Sequence, residues 1–222
     1  MRPLSSRCAW TGLTALVAAL AGPAPAAAQD AEAILQAAAD AYSGVSILCA
    51  DFIQELSVPL LGEERTGTGR MCQAQPDRFA MRFDDPAGDV IVADGEWVWV
   101  FYPSLDDKQV IRFPLAAGAR NFDFHREFLH EPAAKYDATY EAEGAVGSHA
   151  VHRIRLVPRG PASYEAAIIA IDTAQPVLRQ VRIEEENGSV RTVSLEGIQL
   201  EPAVADDWFS FTPPEGAVVI TR

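Results

Sequence analysis

His125, Glu127 and His130 are the residues whose types and spacing come nearest to a reactive site. A zinc-hydrolase helix needs His-Glu-x-x-His, which stacks two imidazoles one turn apart on a single face with a carboxylate beside them. Here the histidines are five apart, more than a turn and a third, and Glu127 is two residues from the first. His149 and His152 flank a predicted strand start, one on each face. Asp84-Asp85 and Asp106-Asp107, beside Pro86 and Lys108, read as turn formers, and Glu184-Glu185-Glu186 as a solvated run entering a hairpin. Neither a Gly-x-Ser-x-Gly elbow nor a phosphate-cradling glycine pattern is present. Hydrogen-bonded or solvated histidines are the simpler reading, and no enzyme, metal or cofactor is expected.

The start of the chain has the form of a secretory signal: Arg2 and Arg7, a short apolar run from Leu13 to Leu20, then Pro23, Pro25 and Ala26-Ala27-Ala28 as a small-residue cleavage site. The expected division is a signal peptide over 1–28 and one domain over 29–222, exported and soluble in the periplasm. Cys8 precedes the apolar run, so it is not placed for acylation. The net charge of −13 becomes two units more negative once Arg2 and Arg7 are removed. That acidity argues against nucleic acid and anionic membrane surfaces as partners. Cys49 and Cys72 remain in neighbouring predicted strands, and an exported chain with one such pair invites a disulfide, which would contribute about 3 kcal/mol in the chain-entropy model.

Large apolar side chains on strand faces stand out instead. Asp89 to Tyr102 (DVIVADGEWVWVFY) reads as two strands about an Asp94-Gly95 type I′ hairpin, with Trp97, Trp99 and Phe101 on one face. Arg78 to Phe83 alternates Phe79, Met81 and Phe83 against Arg78, Ala80 and Arg82. Before these, a helix capped by Asp30 and stopped at Gly44 carries Ala33, Ile34, Ala37, Ala38 and Ala41 at helical spacing. A strand from Ile47 to Leu56 follows, then apolar Val58-Pro59-Leu60-Leu61-Gly62, then a strand loosened by Gly67 and Gly69. Asn121 to His130 reads as a short inserted helix with Phe124, Phe128 and Leu129 on one face and Phe122 beside them. Five or more strands come after it, with a second type I′ hairpin at Asn187-Gly188.

Without β–α alternation, this order predicts a mainly β protein: a strongly curved antiparallel sheet or incomplete β-barrel with an N-terminal helix and a helical lid. Two helices cannot cover all the concave apolar area, so a hollow is expected. Its expected lining is Phe79, Met81, Phe83, Trp97, Trp99, Phe101, Phe122, Phe124 and Phe128, with Phe52 and Phe209 as core.

Together these residues resemble the periplasmic outer-membrane lipoprotein carrier family, LolA. The marks are Phe52-x-Gln54, Gly67-x-Gly69, Pro76-x-x-Phe79, Asp85-Pro86, Asp94-Gly95 with Trp99 and Tyr102-Pro103, and the close Phe209-Ser210-Phe211-Thr212-Pro213-Pro214-x-Gly216. The resemblance implies a lipid-binding transport chaperone for outer-membrane biogenesis. It would take acylated lipoproteins from an inner-membrane ABC exporter to an outer-membrane LolB-type receptor, as a monomer without nucleotide or metal. It places Phe79 near the cavity entrance and the inserted helix in the lid. It also implies an arginine just before Pro76 that holds the lid by bonds to backbone carbonyls. Gln75 stands there, with one donor group and no charge. Either closure is weaker here or Arg78 supplies it. A periplasmic lipoprotein-sensing or protein-interaction module on the same scaffold is the alternative.

Overall fold

The computed structural model describes residues 26–115 and 123–222. Phe122 and the first 25 residues, which hold most of the expected signal peptide, lie outside them. Helix α1 (Ala26–Ser43) leads into β1 (Ile47–Val58), β2 (Glu63–Ala74), β3 (Arg78–Asp85), β4 (Val90–Asp94), β5 (Trp97–Phe101) and β6 (Gln109–Pro114). Two short helices follow, α2 (Phe124–Leu129) and α3 (Pro132–Lys135). Then come β7 (Tyr136–Val146), β8 (His149–Pro158), β9 (Ala166–Asp172), β10 (Leu178–Glu184), β11 (Val190–Leu200), a 3₁₀ turn (Asp206–Phe209) and β12 (Val218–Thr221).

All twelve strands join one curved sheet, ordered β12-β6-β5-β4-β3-β2-β1-β11-β10-β9-β8-β7. Hairpin neighbours pair antiparallel, and the two hairpin series meet where β1 pairs with β11. Among the described residues, β12 with β6 is the one parallel pair.

Local sequence explains most boundaries. Gly44 follows the last residue of α1, but the helix begins at Ala26, so Asp30 is inside it rather than capping it. The tight turn after β4 is not type I′, because only Gly95 has positive φ, at 105°. Asp94 instead accepts hydrogen bonds from the backbone N–H groups of Glu96 and Trp97. The same holds at Asn187-Gly188, where Gly188 alone is positive and Asn187 accepts from Ser189 N. Gly69 permits a close crossing: a Cβ there would stand 2.1 Å from the Arg82 carbonyl oxygen. Cys49 and Cys72 face each other across β1 and β2 and form the expected disulfide.

The sheet buries apolar side chains on both faces. The concave face holds Ala50, Phe52, Met71, Phe79, Met81 and Phe83 from the first strands and Ile154, Leu156, Ile169 and Leu195 from the later ones. Leu35 and Ala38 of α1 and the apolar side of α2 cover it. The convex face carries a smaller cluster, with Val92, Phe101 and Val110 under Phe209, Trp208 and Phe211 of the C-terminal segment. Arg82 donates to the carbonyls of Trp208 and Ser210 and holds that segment down.

Candidate functional site

Period-2 geometry fixes which side chains share the concave floor. On β3, Phe79, Met81 and Phe83 all point inward and are buried, as their alternation predicts. Opposite them Phe124, Phe128 and Leu129 of α2 enter the same cluster. Phe52 also packs edge-on against Phe83, their ring centres 4.9 Å apart.

Trp97, Trp99 and Phe101 share a face as expected, but it is the convex one, which corrects the cavity assignment. Trp99 and Phe101 lie against Phe211, with ring centres 5.9 and 5.7 Å apart. The Arg112 guanidinium sits 4.2 Å from the Trp97 ring centre. The inward residues of β5 are Val98 and Val100. Alternation tells which side chains travel together, not which side of the sheet is hollow.

A six-residue helix has little stability of its own, so α2 depends on packing and on polar ties at its ends. Asp123 caps it, its carboxylate accepting from Arg126 N at 3.0 Å. Arg126 reaches the turn between β2 and β3, donating to the Pro76 carbonyl at 3.1 Å and to Asp77 Oδ1 at 2.8 Å. At the other end the Lys135 ammonium donates to the carbonyls of Arg126 and Glu127. The hydroxyls of Tyr136 and Tyr164 donate to Glu127 Oε1 at 2.7 and 2.8 Å. The lid thus bridges the two hairpin series.

Arg78 is not among these ties: it lies 3.7 Å from Asp206 and over the Phe209 ring, on the convex side. Gln75 is exposed, and its backbone N–H donates to Ser46. Two other arginines make carbonyl bonds at the lid: Arg126 of α2 donates to Pro76, and Arg159 donates to Ala133 of α3 at 2.7 Å. Nothing in the sequence pairs Arg126 with Pro76 and Asp77, 50 and 49 residues away, or Glu127 with Tyr164, 37 away. Tyr136 meets Glu127 across the break between α2 and β7.

Two titratable groups sit at the root of α2. Burial pushes the Asp123 carboxyl up to about 6, against the opposing pull of its bond from Arg126 N. Burial pushes His125 down to about 4; neither ring nitrogen has a hydrogen-bond partner, and the ring stacks on Tyr42 with centres 5.1 Å apart. The other histidines are placed elsewhere: His130 is exposed on the lid, His149 lies 3.1 Å from Asp172, and His152 meets the Tyr140 hydroxyl.

Beside the lid root is a cavity of about 690 Å³. Its deeper wall includes buried Ala39, Gln73, Asp123 and Leu129, and its rim includes exposed Asp40, Gln75 and Glu131. Gln73 donates to the Tyr42 hydroxyl, while its Oε1 has no partner.

A half-closed sheet with a greasy inner face, roofed by one long helix and a short tied lid, belongs to the curved-sheet class typified by lipoprotein-carrier folds. Residues 43–212 match the profile described as outer membrane lipoprotein carrier protein LolA, and the chain belongs to that family. The outer-membrane lipoprotein carrier protein of Xanthomonas oryzae pv. oryzae is 28% identical over 160 residues, 71% of this chain and 73% of that one. That of Alkalilimnicola ehrlichii is 28% identical over 154 residues, covering 69% and 67%. An uncharacterized conserved protein from Thermus thermophilus shares the fold, with a TM-score of 0.55 and 15% identity over 87% of this chain and 100% of that one. Among the described residues, no helix is long and apolar enough to cross a membrane.

Proposed function

We propose that this protein is a periplasmic carrier that shelters the acyl chains of lipoproteins under its lid. Residues 1–28 would be removed on export and 29–222 would form the carrier domain. Cargo would come from an inner-membrane ABC exporter and pass to an outer-membrane LolB-type receptor. The observation that carries this reading is a concave face that is apolar on floor and roof, with the short helix α2 of that roof held by a few polar ties.

Phe124, Phe128 and Leu129 are buried in the same apolar cluster as the β3 floor residues. A hydrocarbon chain therefore enters by displacing them. Partly exposed ties such as Arg126–Asp77 are each worth about 0–1 kcal/mol. An acyl chain gains roughly 0.8 kcal/mol per buried CH₂, so ten methylenes outweigh several such ties. Unpacking Phe124, Phe128 and Leu129 offsets part of that gain, and release requires a receptor that binds the acyl chains at least as well.

The test is to isolate the protein from periplasm and weigh what accompanies it by intact mass. A triacylated polypeptide is the expected companion. A bare protein that also ignores fluorescent acyl probes would sink the reading. Phe79→Glu places a charge on the floor and is expected to abolish acyl-probe binding.

A further inference from the structure

Along the inward face of β2 and into the turn that follows it, alternate residues change character toward the lid root. Met71 is fully buried, Gln73 is 3% exposed and Gln75 is open to solvent. Gln73 sits among apolar neighbours, with Phe79 opposite it on β3. One end of its amide meets Tyr42, and the other, shielded from solvent, meets nothing, while the residue borders the 690 Å³ cavity. Turning the amide over only exchanges which end is left unpaired. A buried amide group without a partner calls for a ligand that supplies one.

We propose that this cavity receives the N-acyl amide of the cargo, the neutral joint where a hydrocarbon chain meets a polypeptide, and that Gln73 is its hydrogen-bond partner. The inference rests on the carrier reading above and names the part of the cargo held at this end of the site. Such a joint has an N–H and a C=O, so it satisfies either end of Gln73. It also lies where oil gives way to water, which is where Met71, Gln73 and Gln75 place the cavity. The volume falls within the ordinary range for small-ligand pockets. Charge selects against a free fatty acid. Arg126 and His130 are the basic side chains on the cavity wall. Arg126 already binds Asp77 and the Pro76 carbonyl and His130 lies 3.9 Å from Glu131, while Asp40 and Asp123 line the same space.

The experiment measures binding of two fluorescent probes to the full chain: an N-hexadecanoyl dipeptide amide and a hexadecyl probe with no amide. Gln73→Leu is expected to weaken the N-acyl peptide about tenfold, the size of one well-placed hydrogen bond, and to leave the hexadecyl probe unchanged. Ala133→Trp, an exposed change on the cavity wall, is expected to do the same by filling the space, and it decides the matter should Gln73→Leu fail to fold. Equal losses for both probes, or none for either, would overturn the proposal while the carrier reading stands. Free hexadecanoate binding as tightly as the N-acyl peptide would also overturn it. Wild-type protein that binds neither probe would remove the carrier reading itself.

Discussion

Asp123 and His125 stand two residues apart at the root of the lid and titrate in opposite senses. Asp123 moves from an ordinary 3.8 up to about 6 in the fold, so the folded state holds its proton more tightly. Its contribution is greatest at low pH and is lost as pH rises from about 4 to 6. His125 moves from 6.5 down to about 4, so the fold needs it neutral; its contribution is present above 6.5 and is lost as pH falls toward 4. Each shift corresponds to about 3 kcal/mol, and over the shared interval the slopes oppose. The charges that bear on Asp123 are Arg126, Glu127 and Lys135, and the group facing His125 is Tyr42. Asp123→Asn, which keeps a capping side chain, is expected to leave a protein whose urea midpoint falls on acidification from 6.5 to 4. His125→Phe is expected to give a midpoint that rises over the same interval. Parallel pH profiles for both variants and wild type would contradict the pairing. Arg126→Gln is expected to raise the hydrogen-exchange rate of α2 amides severalfold while the sheet's rates stay put. That Phe79, Met81 and Phe83 share one face of β3 was legible from alternation alone. That same alternation puts Arg78 opposite Phe79, which already separates it from the lid. The wrong side for Trp97, Trp99 and Phe101 has another cause: only the curvature of the assembled sheet distinguishes its two faces.

Among the elements, the β1–β2 hairpin shows how much local pattern can and cannot tell. Its strands, its two glycines and its cysteine pair all follow from residue type. The conformations of the β4–β5 and β10–β11 turns do not, because an Asp or Asn side chain can satisfy the turn's N–H groups while only the glycine adopts positive φ. Replacing both Cys49 and Cys72 with Ala is expected to cost about 3 kcal/mol, read as a lower urea midpoint than that of the oxidised wild type. Gly69→Ala is expected to cost more than a surface change, since its Cβ would collide with the β3 backbone rather than with a movable side chain. A midpoint within about 0.5 kcal/mol of wild type would show that the crossing can relax.

For the whole molecule, one strand series lies on each side of a single join, and the C-terminal segment closes the convex face. Arg82 ties that segment through the carbonyls of Trp208 and Ser210 and lies over the Trp208 ring. Arg82→Ala is expected to expose the amides of 206–221 to faster exchange and to lower stability by about 1–3 kcal/mol. Acyl-probe binding, which belongs to the other face, is expected to hold. Strand number and the antiparallel hairpins were readable from sequence. The parallel pairing of β12 with β6 and the meeting of β1 with β11 were not, because neither leaves a mark in any short window.

The meeting of β1 with β11 also bears on how the protein is born. Leu48 lies opposite Leu200, so the central seam is stitched by residues at nearly opposite ends of the polypeptide. Closing so wide a gap is slow compared with zipping hairpins. On the export proposed above, a chain threading through a channel would gain from that delay, since its last stitch would wait until the final strands had emerged.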